Sequence, residues 1–199
     1  MVHNPFLESE RVYLRPLEEG DFPVCAAWLN DPRVTHYLFY GQLPVSASDV
    51  RELFFRQKQN GDVVFIIVEK RTKKPIGWSG LHDIHPRSHK AEFRIVIGDT
   101  RVWGKGIGTE VTELMTFYGF DRLHLHRVYL GYTAENTQAG AVYAKVGYKQ
   151  EGVLRDDIYR NSRFYDCVRM ALLRDAYYKT IYPAHKRRFA GSRVKRGDA

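Results

Sequence analysis

Apolar and polar residues alternate near the start of this chain, as they do in a half-buried β-strand. Val12 and Leu14 occupy one side of the alternation, Tyr13 and Arg15 occupy the other, and Pro16 ends the run. The pattern therefore predicts a first strand over these residues.

The next two stretches carry the spacing of helices. The segment "DFPVCAAWLNDP" predicts a short helix that begins near Asp21 and stops before Pro32. In "SASDVRELFFRQKQNGD", Ser46 and Asp49 form a capping box, and the "NG" pair marks the end of the helix. The apolar residues of this second helix recur at helical spacing: Val50, Leu53 and Phe54.

The rest of the chain alternates strands with helices. A hairpin is predicted in "VVFIIVEKRTKKPIGWSGLHDI", then a strand in "AEFRIVIGD", a helix in "GTEVTELMTFYGFDRL", a strand in "RVYLGYT", a helix that ends at Gly147 and a strand in "RFYDCVRMALL". This order predicts an α/β domain with helices on both faces of one mixed sheet. The strands "AEFRIVIG" and "RVYLGYT" flank one helix, so we expect them to run parallel.

A glycine-rich loop, "GDTRVWGKGIGTE", lies between the first strand and the helix of that unit. Glycine in a helix interior costs roughly 0.5–1 kcal/mol relative to alanine, so Gly104, Gly106 and Gly108 indicate a need for bare backbone. The first turn of a helix has unpaired N–H groups and a partial positive charge, and Arg101 and Lys105 add cationic donors. The loop is therefore predicted to bind a pyrophosphate, with a flexible glycine-rich turn as the alternative.

Two other phosphate-binding motifs do not fit this loop. A nucleotide-triphosphatase P-loop requires G-x-x-x-x-G-K-[ST], but Gly98 and Gly104 are one residue too far apart and Lys105 is followed by glycine. A dinucleotide-binding fold requires G-x-G-x-x-G after the first strand, whereas this loop reads G-x-G-x-G after several strands. The spacing therefore disfavours both nucleotide folds.

A second motif, "NTQAGAVYAKVGY", follows one helix and one strand later. R-x-x-G-x-G in the loop and N-x-x-A-x-x-x-Y-x-K-x-G-Y here resemble the two motifs of the GNAT superfamily of acyl-CoA-dependent N-acetyltransferases. The segments "LESERVYLRPLEEGDFPVCAAWLNDPRV" and "EGVLRDDIYRNSRFYDCVRMALL" resemble the branch that contains ribosomal-protein N-terminal (RimJ/RimL-like) acetyltransferases. The resemblance covers about residues 7–175. It implies an N-acetyltransferase with the GNAT fold, a mostly antiparallel sheet that splays at its parallel strand pair.

The resemblance implies acetyl-CoA as the co-substrate and no metal. Backbone N–H groups between Val102 and Thr109 would hold the CoA pyrophosphate, and the pantetheine arm would lie in the gap beside Ile95–Ile97. Asn136 would contact that arm, and a helix N-cap is its alternative role. The implied coenzyme residues are Ile95, Val96, Ile97, Arg101, Val102, Trp103, Gly104, Lys105, Gly106, Ile107, Gly108, Thr109, Asn136 and Tyr143.

Tyr143 matches the family tyrosine whose hydroxyl lies near the thioester sulfur. In the implied reaction a neutral amine attacks the thioester directly in a ternary complex, and CoA thiolate leaves. A thiol has a pKa of about 8.5, so the thiolate is a tolerable leaving group. Proton donation or a hydrogen bond from Tyr143 would contribute roughly 10- to 100-fold. The alternative is a half-buried aromatic residue that holds its helix to the sheet.

The acceptor amine must first lose a proton, because an alkylammonium has a pKa of about 10.4. Glu92 is the leading candidate for the base, since some family members carry theirs on this strand, and a surface charge is the alternative. The preceding strand ends, at the expected mouth of the acceptor site, in three polar residues: His82, Asp83 and His85.

Position 131 departs from the pattern of some relatives. Ribosomal-protein-acetylating relatives of one type carry an acidic base about five residues before the asparagine, and Gly131 stands there in this chain. The departure weakens the transfer of their mechanism and of their substrate.

The acceptor is expected to bind around the two early helices and their neighbouring loops. The candidate acceptor-binding residues are Trp28, Tyr40, Trp78, His82 and Glu92. The main candidate acceptor is the N-terminal amine of a protein, and the alternatives are a nucleotide-linked amino sugar, a polyamine and an aminoglycoside. A CoA-binding sensor without turnover and an RNA-binding module are the non-enzymatic alternatives.

The net charge of +8 is concentrated at the C-terminal end of the chain. From Lys179 onward there are seven basic residues and one acidic residue, which leaves residues 1–178 at +2. We therefore divide the chain into an acetyltransferase domain over 1–178 and a basic tail over 179–199. The tail is expected to be solvated and partly frayed, with contact to RNA or the ribosome as the alternative. A tail close to the site would disfavour a polycationic acceptor.

Composition indicates a packed globular protein, with 44% hydrophobic and 14% aromatic residues. We find no apolar run of the length that a membrane span needs and no signal peptide. Cys25 and Cys167 form no disulfide framework or zinc pattern, so two reduced thiols in a cytoplasmic protein are expected. A homodimer is common in the family, but the sequence does not decide it.

Overall fold

The computed structural model describes residues 5–189. Its strands are β1 (Leu7–Glu8), β2 (Val12–Pro16), β3 (Val63–Glu69), β4 (Pro75–His85), β5 (Lys90–Ile97), β6 (Arg127–Thr133), β7 (Lys149–Arg160) and β8 (Arg163–Leu173). Its α-helices are α1 (Phe22–Leu29), α2 (Pro32–Thr35), α3 (Ala47–Gln59), α4 (Ile107–Asp121), α5 (Thr137–Val146), α6 (Arg174–Thr180) and α7 (Tyr182–Phe189). Short 3-10 turns cover Glu19–Asp21 and Thr100–Val102.

All eight strands belong to one sheet in the order β1-β2-β3-β4-β5-β6-β8-β7. Neighbouring strands are antiparallel except β5 and β6, which are parallel. The predicted fold class is therefore confirmed: a single mixed, mostly antiparallel sheet with one parallel pair. That pair is the one predicted from the strand–loop–helix–strand unit.

The sheet has a hydrophobic core on each face. On one face, α4, α5 and the C-terminal helices cover a cluster that includes Phe93, Leu114 and Tyr143. On the other face, α1 and α3 cover a smaller cluster that includes Trp28 and Trp78. We call these the α4 face and the α1 face. The strands alternate between them, so neighbouring residues of β5 point to different cores.

The α1 face depends on a helix that its own sequence starts and stops. The Ser46 amide donates to Asp49 Oδ2 (2.8 Å) and the Asp49 amide donates to Ser46 Oγ (3.2 Å), which is the predicted capping box. Val50 and Phe54 are buried on one side of α3 as predicted, while Leu53 is half-buried. The capped first turn therefore directs this apolar side onto the sheet.

The prediction missed strand β7. The expected order had one strand after α5, whereas β7 and β8 form a hairpin at the edge of the sheet. Nearly every residue of β7 is exposed, so its sequence shows no alternation between apolar and polar positions. Two register shifts, at 150–152 and at 154–158, break the pattern further.

The expectation of a solvated, frayed tail is wrong for its first part. The helix α7 packs on α4, and Phe189 and His185 are buried. Tyr177, Ile181, His185 and Phe189 recur every fourth residue, a helical signal that the count of basic residues concealed. Residues 190–199 lie outside the described residues, and so do three of the basic residues of the predicted tail.

No helix within residues 5–189 combines the length and the apolar character needed to cross a membrane.

Candidate active site

Strands β5 and β6 separate soon after they meet. They pair only at Lys90–Arg127, Ala91–Val128 and Glu92–Tyr129. Beyond this point β5 stays paired with β4 and β6 stays paired with β8, so residues 93–97 and 130–133 border a gap. We call this gap the splay. Backbone edges on its two sides can hydrogen-bond a linear molecule placed between them.

The glycine loop closes one end of the splay and leads into α4. Gly104 and Gly106 have φ values of +70° and +76°, the left-handed region that glycine adopts most easily. A Cβ atom at Gly104 or Gly108 would meet nothing within 4 Å, so the loop borders open space. The helix has no side-chain cap, and its first backbone bond runs from the Glu110 amide to the Gly106 carbonyl (3.1 Å). The amides of residues 107–109 precede that bond and can hold an anion.

The two cationic side chains of the loop, Arg101 and Lys105, differ in whether they form an ion pair. Lys105 is exposed and has no salt bridge within the described chain. Arg101 is also exposed, at 78% of its side chain, but its guanidinium pairs with Asp99 at 2.8 Å. That pairing lowers the pKa of Asp99, which also accepts from the Arg101 amide. Lys105 is therefore the cation of the loop that no carboxylate of the described chain pairs with.

Two buried side chains anchor the loop while the third large apolar residue stays accessible. Val102 and Ile107 belong to the core of the α4 face. Trp103 is half-exposed, and its indole N–H donates to the Ile97 carbonyl at 2.9 Å. The predicted coenzyme roles of these residues rest on their backbone groups, since their side chains hold the loop in place.

Asn136 lies at the start of α5, the helix beside the splay, and Tyr143 lies in its second half. The Asn136 side chain accepts from the Ala139 amide (3.1 Å), so the alternative role as N-cap of α5 is present. Tyr143 lies further along α5, between the rings of Phe93 (6.3 Å) and Tyr132 (5.7 Å). Phe93 and Tyr132 belong to the two separated strands, so Tyr143 faces the splay from the α4 face.

The hydroxyl of Tyr143 has no hydrogen-bond partner among residues 5–189. Burial raises the pKa of Tyr143, and the neighbouring Tyr132 raises it further. The group is therefore neutral at any physiological pH and can donate a proton or a hydrogen bond to an atom in the splay.

Glu92 lies on the opposite face, at the point where the splay begins. Its carboxylate accepts from Arg94 Nε at 2.7 Å and from Arg169 Nη1 at 3.4 Å, and its side chain is 13% exposed. Arg94 also reaches Asp83 Oδ2 at 3.6 Å. Glu92, Arg94 and Arg169 thus form a charged cluster on the α1 face, open to the side opposite Tyr143.

Arg169 reaches Glu92 because residue 131 is glycine. Gly131 pairs with Arg169 in register, and a Cβ at Gly131 would lie 2.7 Å from Arg169 Nη1 and 3.0 Å from Cys167 Sγ. The guanidinium therefore crosses β6 over the bare backbone of Gly131. Sequence reasoning noted the glycine but missed the arginine, and the register of β8 against β6 was the information it lacked.

His82 is buried next to this cluster rather than exposed at a mouth. It pairs with Glu92 in register, and its Nδ1 lies 3.0 Å from Asp62 Oδ2. Burial lowers the pKa of His82, against the opposing effect of the Asp62 hydrogen bond, so the ring is neutral and donates to the carboxylate. Of the other residues of the "HDIH" segment, Asp83 is exposed and His85 accepts from the Ser88 amide.

The predicted acceptor-binding aromatic residues fall into two groups. Trp28 and Trp78 stack at 6.1 Å in the core of the α1 face, and Gly98 packs directly against the Trp28 indole. Tyr40 is only partly buried. Burial raises the pKa of Tyr40, the positive charge of Arg94 lowers it, and the negative charge of Glu92 raises it. Of the predicted aromatic residues, Tyr40 is therefore the one that faces the charged cluster.

In the part of the chain that the structure covers, no three His, Cys, Asp or Glu side chains come together as metal ligands would. The structure thus joins the predicted loop, Asn136 and Tyr143 on one side of the splay, and Glu92 and Tyr40 on the other.

The chain matches the family model described as "Acetyltransferase (GNAT) domain" over residues 11–149. The spermidine N(1)-acetyltransferase of Vibrio cholerae is 29% identical over 170 residues, covering 85% of this chain and 96% of that protein. YdaF of Bacillus subtilis, provisionally named as a ribosomal N-acetyltransferase, is 29% identical over 171 residues, covering 83% and 93%. The structure of a Vibrio cholerae spermidine N-acetyltransferase with CoA and spermine superimposes with a TM-score of 0.77, at 29% identity over 84% of this chain and 98% of the other.

Proposed function

Because this chain belongs to the GNAT acetyltransferases, we propose that it transfers the acetyl group of acetyl-CoA to a primary amine of a linear polyamine such as spermidine. The family makes the chain an N-acetyltransferase that uses acetyl-CoA, as the residue motifs predicted. The acceptor is the proposal. It is carried by the similarity to spermidine acetyltransferases along 85% of the chain, which favours a polyamine over the N-terminal amine first expected.

The loop and the splay supply the binding site for the coenzyme. In the proposal, the backbone amides from Val102 to Thr109 and the Lys105 ammonium bind the pyrophosphate. The edge of β5 at Ile95–Ile97 pairs with the pantetheine arm, and Asn136 contacts the arm from the start of α5. The open space beside Gly104 and Gly108 supports this assignment, because a phosphate fits where no Cβ stands.

Tyr143 is the proposed proton donor to the sulfur. Its hydroxyl is neutral and has no competing hydrogen-bond partner in the described chain, and it faces the splay from the α4 face. Glu92 lies on the opposite face, where the amine would approach. The two groups thus serve the two sides of a thioester bound between the strands, which suits direct attack in a ternary complex.

Glu92 is proposed to bind the acceptor ammonium and to take its proton, directly or through water. Arg94 and Arg169 now share this carboxylate, so the ammonium has to replace one of them. Asp83 is exposed on the rim and offers a second negative charge. A polyamine carries several ammonium groups spaced by methylenes and can use both carboxylates, whereas a monoamine can use only one.

The remaining acceptor-binding residues contribute in two ways under this proposal. Tyr40 forms a wall beside Glu92 and Arg94, where its ring can contact methylene groups. Trp28, Trp78 and His82 are buried and shape the site from beneath. Substitution of these buried residues is expected to change stability as well as acceptor binding.

The test is a thiol-release assay with acetyl-CoA against spermidine, spermine, putrescine, an alkyl monoamine, N-terminal peptides of ribosomal proteins and a nucleotide-linked amino sugar. We expect turnover with the polyamines, and a preference for spermidine over a monoamine of similar length. Turnover with peptides alone would overturn the polyamine assignment while leaving the family chemistry intact.

The N-terminal amine of a protein remains the second candidate because of Arg94 and Arg169. Two guanidinium groups beside Glu92 can donate to peptide carbonyl or carboxylate oxygens, which a polyamine lacks. The relative YdaF carries a name of this kind. The same assay separates the candidates, and Arg169→Gln should impair peptide turnover if the peptide is the acceptor.

Two predictions about partners stay open. A homodimer is still a prediction, and so is RNA contact through the basic tail. Binding of RNA that weakens with salt and disappears when the chain is cut after residue 189 would support the second.

A further inference from the structure

A buried carboxylate ties the start of α4 to the N-terminal hairpin. Glu110 is 1% exposed, and its Oε1 accepts from Ser9 Oγ (2.6 Å) and from the Arg11 amide (2.8 Å). Its Oε2 accepts from Arg11 Nε (2.6 Å). Burial raises the pKa of Glu110, but these hydrogen bonds outweigh it and hold the pKa below its usual value. The carboxylate is therefore ionised and fixed.

Arg11 links this carboxylate to the glycine loop. Its Nη1 donates to the Lys105 carbonyl, which turns that carbonyl toward the hairpin. The unpaired amides of residues 107–109 follow this anchored carbonyl in the chain. One guanidinium group thus holds the loop from behind through two of its three nitrogens.

The third nitrogen of Arg11 is free to bind a ligand. Nη2 donates to no atom in the chain from residue 5 to residue 189. It would lie 3.3 Å from a Cβ at Gly106, the residue that precedes the first turn of α4. The Arg11 side chain is 44% exposed, so solvent and ligands can reach it.

We propose that Arg11 binds the pyrophosphate of CoA through Nη2 and positions the loop amides through Nη1 and Nε. The group lies next to Gly106, which directly precedes the unpaired amides of residues 107–109, where a phosphate is expected from the helix geometry. A planar guanidinium can serve the carboxylate, the carbonyl and a phosphate oxygen together, whereas a lysine ammonium cannot span all three. The proposal concerns the coenzyme and stands whichever amine is the acceptor.

The test is calorimetric titration of CoA into the full-length protein and its Arg11→Gln variant. Loss of a charge-assisted hydrogen bond and of the ordered loop should weaken CoA binding roughly 10- to 100-fold. Arg11→Lys should recover only part of this affinity. Arg56→Gln is the matched control, because Arg56 is an exposed arginine of α3 in a single ion pair with Glu52, and it should leave CoA affinity unchanged.

Truncated coenzymes separate the role of Arg11 from a structural one. The Arg11→Gln variant should lose the same factor with 3′-dephospho-CoA, which keeps the pyrophosphate. It should match the wild type in kcat/KM with S-acetylpantetheine, which has no phosphate. Unchanged CoA affinity, a loss confined to CoA with its 3′-phosphate, or an equal loss with S-acetylpantetheine would each overturn the assignment.

A second variant covers the case in which Arg11→Gln leaves Glu110 buried without its partner and unfolds the protein. The double variant Arg11→Gln/Glu110→Gln removes both charges and keeps groups that can hydrogen-bond. It should fold, as judged by its thermal midpoint, and still bind CoA with the reduced affinity. Wild-type affinity in this folded variant would contradict the proposal. The calorimetric titrations with CoA and 3′-dephospho-CoA need no amine, so their failure is distinct from failure of the proposed acceptor.

Discussion

At the scale of the residue, the candidate chemistry depends on two groups with opposite surroundings. Tyr143 is enclosed by aromatic rings and keeps its proton, whereas Glu92 shares its carboxylate between two guanidinium groups. Motif spacing was sufficient to find both residues. It could not find Arg169, because that contact joins residues 77 positions apart through the register of three strands.

The first prediction concerns the hydroxyl of Tyr143. Tyr143→Phe should lower kcat roughly 10- to 100-fold with little change in the KM for acetyl-CoA, since a proton donor is lost. Because the pKa of Tyr143 is raised, the donor stays protonated and the loss should be constant between pH 6 and pH 9. Steady-state kinetics over that range is the measurement. Tyr148→Phe, which removes a hydroxyl bonded to Thr116, is the control and should change stability but not kcat.

The second prediction concerns Gly131. In Gly131→Ala the new methyl would lie 2.7 Å from Arg169 Nη1, so the flexible guanidinium should move away from Glu92. The KM for the amine should then change several-fold, while unfolding free energy changes by about 1 kcal/mol or less. Kinetics and chemical denaturation of the same variant measure both. Gly152→Ala is the control, because nothing lies within 4 Å of its Cβ, and an equal KM change there would contradict the argument.

At the scale of the element, the strands and helices with regular spacing were predicted well and the irregular ones were not. The helix predicted in "GTEVTELMTFYGFDRL" and the capping box of α3 follow from local spacing, and the structure confirms them. Strand β7 has no apolar periodicity because it lies at an exposed edge, and α7 is concealed by its basic composition. The loop before α4 was predicted from its glycines, but its attachment to Arg11 depends on a contact across 94 residues.

The third prediction concerns the start of α4. Gly108 is the second residue of the helix, and a Cβ there would meet no atom. Gly108→Ala should therefore raise the unfolding free energy by roughly 0.5–1 kcal/mol, because alanine is the better helix former. It should also weaken CoA binding, roughly tenfold, because the methyl fills the space proposed for the phosphate. Denaturation and calorimetry are the measurements, and Gly20→Ala, also in open space, should leave CoA affinity unchanged.

At the scale of the whole molecule, the C-terminal helices complete the core of the α4 face. Phe189 packs on Phe117 at 5.7 Å, and Tyr177 stacks on Phe120 at 4.4 Å. His185 lies between them, with Nδ1 3.3 Å from the Tyr177 hydroxyl. The helices α6 and α7, whose sequence resembles a charged tail, therefore pack against α4, the helix that follows the glycine loop.

The fourth prediction concerns the stability of the protein at acid pH, through His185 of α7. Burial, together with the nearby Arg188, lowers the pKa of His185 to about 4, against 6.5 in the unfolded chain. The unfolded state then binds more protons than the folded state between these values, so stability falls as the pH drops below 6.5. The contribution is on the order of 2–3 kcal/mol between pH 7 and pH 4.5. Denaturation of the wild type and of His185→Gln at both pH values should show the smaller acid effect in the variant.

The short pairing between β5 and β6 also affects how the two parts of the sheet hold together. The two leaves of the sheet, β1–β5 and β6–β8, are joined by three residue pairs and by the amides of His126 and Arg127, which donate to the His89 carbonyl. Residues 93–97 of β5 do not pair with β6. Backbone pairing between the two leaves stops along this line, and a thioester arm lying in the splay would connect the leaves. The coenzyme is then part of the cohesion of the protein. Amide protons of residues 93–97 and 130–133 should exchange faster without CoA than with it.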